Sequence, residues 1–350
     1  LVFKSLMADS NSNLRAVAIG TCLFLMSFVV SGLKKPSVKF STKPTSGNRD
    51  VVLVDLNLPY EKNSLLQYLK NEEIIRKALS GLHQKYYFFI KSSPITPAAF
   101  VMDYLSKLYS KLWNDAVELK CLGIDCVVLS DNFGSGIERK RLLQDPALCK
   151  IYTHVDNDIK EVNDLRAESG LTALEIINTT DVTLTLENNF NLQPSIQLLD
   201  ACLYSQYSVM PSYTEVAIGG TFDRLHNGHR KLLSLAAAIT SEILTIGVTG
   251  EVMLAQKSNA SIIDPFVKRR DSVIQFLHQI KPSLSVKVEE LSDPFGPTIT
   301  DGAISAIIVS SETLRGAFKI NEKRVEKGMR PLHILISSRT DSAILSSSFV

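Results

Sequence analysis

The chain has 350 residues, enough for two domains or for one domain with extensions, and its 45% hydrophobic and 21% charged residues are ordinary for a globular protein. A formal net charge of +2 gives no electrostatic argument for a nucleic-acid partner, which would need a concentrated basic face. The five cysteines are scattered and form no C-x-x-C pair, which excludes a disulfide framework or zinc site as the simple interpretation and favours a reducing compartment.

The first 50 residues read as a hydrophobic segment followed by a linker. Residues 16–33 are uncharged, about as long as a bilayer is thick, and preceded by Arg15, with lysines concentrated on the C-terminal side. Three interpretations stay open: a membrane anchor that leaves the rest of the chain cytoplasmic, for example on the mitochondrial outer membrane; a cleaved or organelle-targeting segment; or a buried helix. Residues 34–50 are rich in Pro, Ser, Thr and Lys, as linkers are.

Residues 51–205 are predicted to form a small α/β domain of unknown role, because short apolar runs alternate with amphipathic stretches. The predicted strands are 51–58, 86–90 and 125–131, and the predicted helices are 64–81 and 98–122. Gly134 and Gly136 follow the third strand and could cradle a phosphate. A tight turn is the preferred interpretation, since the third glycine and the downstream acid of a dinucleotide site are missing. Residues 156–212 are expected to hold a helix or two and a boundary loop.

Residues 214–350 give a cleaner pattern, from which we predict a doubly wound sheet of five parallel strands. The predicted strands are 215–220, 242–248, 285–291, 306–310 and 333–337, and the predicted helices are 227–240, 265–280, 297–304 and 315–327. Ligands of such sheets bind beyond the carboxyl ends of the strands.

The stretch "GGTFDRLHNGHRKLL", residues 219–233, lies at such a strand end. Gly219 and Gly220 let the backbone turn tightly and let a ligand approach, and the helix that follows aims its free N–H groups at the same place. His226 and His229, three residues apart, project from one side of the helix start. This arrangement predicts an anion site.

The two histidines also allow other interpretations. They could bind a metal, but only Asp223 offers itself as a third ligand, so no metal site is predicted. One of them could simply cap or pack the helix. Asp223 itself is typical of a residue that holds a turn rather than one that performs chemistry.

The stretch resembles the H-x-G-H signature of the nucleotidyltransferase superfamily, several of whose subfamilies share G-T-F-D-x-x-H-x-G-H. The downstream sequences "PFVKRRDSVIQFLHQIKPSL" (265–284), "LSDPFGPTITD" (291–301) and "VSSETLRGAFKINEKR" (309–324) resemble the eukaryotic and archaeal phosphopantetheine adenylyltransferases. In eukaryotes this is the first catalytic domain of bifunctional coenzyme A synthase. The resemblance implies a Rossmann-like nucleotidyltransferase fold for the second domain.

The chain departs from that bifunctional pattern in two respects. It contains no G-x-x-x-x-G-K-[ST], so the dephospho-coenzyme A kinase domain is expected to be absent and a separate kinase to act on the product. It stops inside the serine cluster of the superfamily's last signature, so we expect a domain truncated at its C-terminal end. The nearest rivals are cytidylyltransferases of the same superfamily, whose R-T-x-G-I-S-T-S ending is not found here.

The resemblance implies attack by the phosphate of 4′-phosphopantetheine on the α-phosphorus of ATP, with Mg²⁺ arriving on ATP. By resemblance, His229 would donate to the α-phosphate, His226 would contact the β- or γ-phosphate, and Thr221 would orient the attacking phosphate. Lys257 would bridge both substrates, unless it is an ordinary loop lysine. Arg315 would hold the leaving pyrophosphate.

Further nucleotide contacts follow from the same resemblance. The expected nucleotide-binding residues are Gly219, Gly220, Phe222, Asp223, Gly228, Arg269, Ser346, Ser347 and Ser348. Arg269 could equally form a surface salt bridge. Bacterial relatives carry R-G-x-R, and here the second arginine is missing, so Lys319 or Arg324 would have to take its place. A second hypothesis is a membrane-tethered, catalytically weak protein that binds nucleotide without turning it over.

Overall fold

The computed structural model describes residues 50–58, 64–92, 96, 98–119, 124–130, 138–154, 158–178, 211–255 and 260–337. These residues fall into two compact units, one from the N-terminal half and one from the C-terminal half of the chain. Residues 97–120 are the exception, because they belong to the second unit although strands of the first unit precede and follow them in the sequence.

The first unit is a parallel sheet with helices between its strands. Its strands are β1 (Val51–Asn57), β2 (Lys85–Lys91), β3 (Asp125–Ser130), β4 (Leu148–Thr153) and β5 (Glu175–Asn178). Its helices are α1 (Ser64–Leu79), α3 (Glu138–Leu143) and α4 (Asp158–Glu168), while α2 (Ala98–Glu118) lies in the second unit. The strand order is β3-β2-β1-β4-β5. β1, β2 and β3 are buried along nearly their whole length, as expected of strands covered on both faces.

The second unit is built in the same way. Its strands are β6 (Tyr213–Gly220), β7 (Thr240–Thr249), β8 (Ser285–Leu291), β9 (Ala306–Ser310) and β10 (His333–Ser337). Besides α2, its helices are α5 (Asn227–Ile239), α6 (Glu251–Leu254), α7 (Phe266–Ile280) and α8 (Leu314–Glu326). All strand pairs are parallel, in the order β10-β9-β6-β7-β8. The predicted doubly wound five-stranded sheet is confirmed.

The two units share one topology. When the strands of each unit are numbered from one to five along the chain, both sheets have the order 3-2-1-4-5. The sequence patterns predicted only three strands in the first unit, because β4 and β5 are short and carry polar residues between apolar ones. The first unit is therefore a five-stranded α/β domain that repeats the strand order of the second.

A buried arginine performs the same task in both units. Arg324 on α8 donates to the carbonyls of Thr298, Asp301, Ile304 and Arg330. Arg166 on α4 donates to the carbonyls of Leu143, Asp145, Leu148 and Thr172. Each side chain is 1% exposed, and each ties the last helix of its unit to the segments that lead into the fourth and fifth strands.

An asparagine three residues before each arginine completes this clamp. Asn321 exchanges two hydrogen bonds with the backbone of Leu332, and Asn163 does the same with Leu174. Both leucines immediately precede the last strand of their unit. The two segments, 163–174 and 321–332, share the pattern N-x-x-R-x-E-x-G-[LM]-x-x-L, whose glycine ends the helix in the left-handed region at φ values of 68° and 72°.

The clamp corrects one expectation about the site. Arg324 cannot replace the missing second arginine of the R-G-x-R pattern, because its guanidinium is buried and committed to four carbonyls. Burial also lowers the pKa of this guanidinium. Lys319, the other candidate, lies exposed on α8.

Two further expectations concern segments near strand ends. The predicted helix 297–304 is only a 3₁₀ turn, Gly296–Ile299, because Gly296 adopts φ 48° and Asp293 accepts hydrogen bonds from the N–H groups of Phe295 and Gly296. The Gly134 and Gly136 loop lies outside the described residues.

The hydrophobic segment at residues 16–33, predicted as a membrane anchor, a targeting segment or a buried helix, also lies outside the described residues. Within the ranges that the structure covers, no helix combines the length and the apolar character needed to cross a bilayer.

We predict that Arg324→Met lowers the free energy of unfolding by about 3 kcal/mol, because four buried carbonyls lose their donor. Arg166→Met should have the same effect in the first unit. Urea unfolding measures both, with the exposed Glu322→Ala as a control expected to change stability by less than about 0.5 kcal/mol. An Arg324→Met protein as stable as the control would show that the clamp contributes nothing.

Candidate active site

The candidate site begins where β6 ends at Gly219 and Gly220. A Cβ atom on Gly220 would lie 3.1 Å from the ring of Phe222, so glycine gives this fully buried ring room that a larger residue would tighten. In the loop that follows, Phe222 and Arg224 have left-handed backbones, with φ of 51° and 40°. Such conformations each cost about 1 kcal/mol or more for residues with a Cβ and persist where the surroundings enforce them.

The loop is held in place by its contacts with the segment that leads into α7. Arg269 donates from Nη1 to the carbonyl of Thr221 at 2.8 Å and from Nε to the carbonyl of Asp264 at 2.7 Å. Asp223 accepts the backbone N–H of Asp264 at 2.9 Å. Two of these hydrogen bonds, at Thr221 and Asp223, join the loop after β6 to the segment that leads into α7, and they enforce the strained turn.

Arg269 is therefore not a surface residue. Its side chain is 1% exposed, which excludes the surface salt bridge that the sequence left open. Burial also lowers the pKa of its guanidinium. Its Nη2 atom is buried and has no hydrogen-bond acceptor among the described residues. The direct nucleotide contact expected of Arg269 stays a prediction, while its contact with Thr221 is observed.

His226 is the N-cap of α5. Its backbone is extended, with φ −94° and ψ 172°, and its Nδ1 accepts the N–H of Gly228 at 3.2 Å. An imidazole whose Nδ1 accepts a hydrogen bond carries its proton on Nε2 when neutral. The capping interpretation of one histidine is thus correct for His226, and capping also determines which nitrogen can donate to a ligand.

His229 stacks on His226. The ring centroids lie 3.9 Å apart with an interplanar angle of 27°. The ring of Phe222 is tilted by 54° relative to that of His229, with centroids 5.4 Å apart. Nδ1 of His229 is buried with no acceptor in the part of the chain that the structure describes. The tautomer that buries no unpaired N–H carries its proton on Nε2.

Burial holds the pKa of His229 well below its ordinary value of 6.5, and the neighbouring His226 and Arg230 lower it further. His229 is therefore neutral at physiological pH. The helix start presents two stacked imidazoles, each with an Nε2–H donor, together with the N–H groups of the first helical turn other than that of Gly228, which His226 caps. This donor set suits an anion, and the helix dipole favours negative charge at the same end.

The site also contains a residue that the sequence did not indicate. The hydroxyl of Thr249, at the end of β7, lies 3.3 Å from the carbonyl of Gly220 and 3.4 Å from the hydroxyl of Thr221. Thr249 thus joins the ends of two neighbouring strands and orients the Thr221 hydroxyl. Only the parallel pairing of β6 and β7 reveals it, since no motif contains Thr249.

The remaining predicted residues are placed as follows. Gly228 lies in the first turn of α5. Arg315 lies exposed in the first turn of α8, the helix that follows β9, and β9 pairs with β6. Lys257, Ser346, Ser347 and Ser348 lie outside the described residues. No group of three or more His, Cys, Asp or Glu that could hold a metal ion occurs within the described ranges.

Comparison with known proteins agrees with this geometry. Residues 217–349 match the model of the cytidylyltransferase-like family. A phosphopantetheine adenylyltransferase of Pyrococcus furiosus is 38% identical over 139 residues, covering 39% of this chain and 86% of its own length. The phosphopantetheine adenylyltransferase of Saccharomyces cerevisiae is 43% identical over 118 residues, covering 34% of this chain and 39% of its own length.

An uncharacterized protein of Schizosaccharomyces pombe is also 43% identical over 118 residues, covering 34% of this chain and 37% of its own length. The chain therefore spans about two fifths of the two fungal relatives, whereas it spans most of the archaeal one.

We predict that His229 stays neutral as the pH falls through 6.5, because burial opposes its charged form. In the unfolded chain the same residue binds a proton near pH 6.5, so protonation favours the unfolded state below that pH. The free energy of unfolding is therefore undiminished above pH 6.5 and decreases as the pH falls below it. An NMR titration of the histidine C–H signals measures this directly. A His229 signal that titrates with a midpoint of 6.5 or above would contradict the burial argument.

Proposed function

Because the chain belongs to the phosphopantetheine adenylyltransferase family, we propose that its second unit transfers the adenylyl group of ATP to 4′-phosphopantetheine, with release of dephospho-coenzyme A and pyrophosphate. The observation that carries this proposal is the stacked pair His226 and His229 at the N-terminus of α5, with Nε2–H donors at the carboxyl end of β6.

The proposed reaction needs electrostatic help rather than a base. A phosphate oxygen of 4′-phosphopantetheine forms a bond to the α-phosphorus, and the bond from that phosphorus to the bridging oxygen of pyrophosphate breaks. The attacking group is already an anion, so no proton has to be removed. The site must hold two polyanions in line and stabilise the charge that grows on the α-phosphate.

The two histidines suit this task because they are neutral donors held in place before the ligand arrives. His229 donates to the α-phosphate as its charge grows, and His226 donates to the β- or γ-phosphate. A neutral imidazole stabilises developing negative charge without holding the ground-state phosphates as tightly as a cation would. The pinned loop supplies the orientation that such donors require.

Other residues complete the proposed site. Thr221, whose carbonyl is held by Arg269, presents its hydroxyl to the attacking phosphate. Arg315 binds the leaving pyrophosphate, and Arg269 has Nη2 left for a ligand oxygen. Lys257 and the serines at 346–348 are assigned by resemblance, as bridging and triphosphate-binding residues.

Mg²⁺ is assigned to ATP rather than to the protein. The donor set of the described site consists of imidazoles, hydroxyls and guanidinium groups, which do not form an oxygen cage for this ion. When bound to the triphosphate, the ion would neutralise part of its charge, and no step is attributed to protein ligands of the metal.

The cellular setting is inferred from the sequence. We assign the chain to the cytoplasm and residues 16–33 to a membrane tether. Both assignments rest on the charge pattern around residues 16–33.

The proposed activity predicts pyrophosphate release that requires both ATP and 4′-phosphopantetheine. The purified chain is assayed with Mg²⁺, with CTP in place of ATP as the nucleotide control. A preference for CTP would favour a cytidylyltransferase, as the family model allows. Nucleotide binding without pyrophosphate release would favour the non-catalytic alternative.

His229→Ala should lower kcat by about a hundredfold with little change in KM, because the lost hydrogen bond strengthens mainly in the transition state. Steady-state kinetics with both substrates measures this. His278→Ala, which removes an exposed histidine on α7, is the matched control and should turn over normally. Near-normal turnover of His229→Ala would remove His229 from the mechanism.

A further inference from the structure

A helix outside the family match lies along the helix that carries the two histidines. Helix α2 belongs to the second unit, although residues 217–349 are the only part of the chain that the family model matches. The hydroxyl of Tyr109 on α2 lies 3.5 Å from the hydroxyl of Ser234 on α5. The hydroxyl of Ser110 on α2 lies 3.5 Å from Nζ of Lys231 on α5. All four polar atoms belong to side chains at the interface, where Tyr109 and Ser234 are fully buried and Lys231 is 2% exposed.

The next residue on the same face of α2 reaches the active-site end of α5. Trp113 lies edge-on to His226, with ring centroids 5.8 Å apart and an interplanar angle of 63°. The paired positions rise along α2 while they fall along α5, so the two helices run antiparallel and Trp113 meets the N-terminus of α5. Trp113 is 6% exposed, so its ring is packed against neighbouring side chains rather than exposed to solvent.

Three contacts therefore define the orientation of the His226 ring. The N–H of Gly228 engages Nδ1, His229 stacks on the ring, and Trp113 packs against it edge to face. Of the three, only the Trp113 contact comes from outside the H-x-G-H segment. A donor that must sit within a fraction of an ångström of a phosphate oxygen depends on such supporting contacts.

We propose that Trp113 is a positioning residue for His226, through which α2 becomes part of the active site. This inference rests on the proposed function, because it assigns Trp113 an effect on the β- or γ-phosphate contact of ATP. Trp113 touches neither substrate. It holds the imidazole whose Nε2–H meets the triphosphate.

The first experiment tests the contact without any assay of activity. Trp113 is the single tryptophan of the chain, so the protein's indole emission reports on its surroundings. His226→Gln should change the intensity or wavelength of that emission, whereas the control His278→Gln should leave both unchanged. Identical spectra for wild type and His226→Gln would overturn the proposal.

The second experiment tests positioning. Trp113→Leu preserves much of the apolar volume without the ring and should raise KM for ATP about tenfold, while KM for 4′-phosphopantetheine stays within about twofold. Trp113→Phe restores an aromatic edge and should recover most of the loss. Val117→Ala, at a side chain 48% exposed on the same helix, is the control with unchanged kinetics.

The outcomes separate this inference from the proposed function. A folded Trp113→Leu protein with wild-type KM for ATP would overturn the positioning role, as would an equal rise in both KM values. If Trp113→Leu fails to fold, Trp113→Phe and the emission comparison still decide. If the wild-type chain shows no adenylyl transfer, the proposed function fails, and the KM for ATP is replaced by the dissociation constant of ATP measured with the same variants.

Discussion

The hydrogen bond from Arg269 to the carbonyl of Thr221 is the contact on which the geometry of the site depends. It closes a turn in which two residues with side chains, Phe222 and Arg224, have left-handed backbones. That turn places His226 at the N-cap position of α5. Without the hydrogen bond, the strained backbone would have an easier conformation, and the helix would start without its histidine cap. Asp223, which accepts the N–H of Asp264, reinforces the same link.

Once the cap is in place, the chemistry of the two imidazoles follows from burial. His226 uses Nδ1 for the cap, and His229 buries Nδ1 without an acceptor, so both rings direct the proton to Nε2. Burial lowers the pKa of His229, which keeps it a neutral donor. A pair of neutral donors beside a helix N-terminus suits a phosphate group, as the proposed adenylyl transfer requires.

The sequence predicted the second unit well because its signals are local. Strands such as β6 and β9 are apolar runs, and the glycines, histidines and helix start of the site lie within fifteen residues of one another. Contacts between distant segments were not predictable in this way. Thr249 and Trp113 reach the site from β7 and α2, and Arg269 acts through a carbonyl, which no motif specifies. The surface salt bridge considered for Arg269 was wrong because the charge pattern does not show burial.

The repeated fold of the first unit was missed although the sequence contains a signal for it. The pattern N-x-x-R-x-E-x-G-[LM]-x-x-L occurs at 163–174 and again at 321–332, and comparison of the chain with itself would have found it. Its physical basis is the clamp made by Arg166 in the first unit and by Arg324 in the second, and the clamp leaves Arg324 unable to replace the missing second arginine of the R-G-x-R pattern. The histidines of the second unit follow its first strand. At the equivalent place after β1, the first unit has the sequence "LPYEKNSLL", which contains no histidine.

The most direct test of the central claim is ¹⁵N NMR of the histidine rings in the full chain, before and after saturation with a non-hydrolysable ATP analogue and Mg²⁺. The account predicts neutral rings protonated on Nε2 in both states, with the Nε2 signals of His226 and His229 shifted by hydrogen bonds to phosphate. Saturation that leaves both Nε2 signals unmoved, or that shows a proton on Nδ1 of His226, would contradict it.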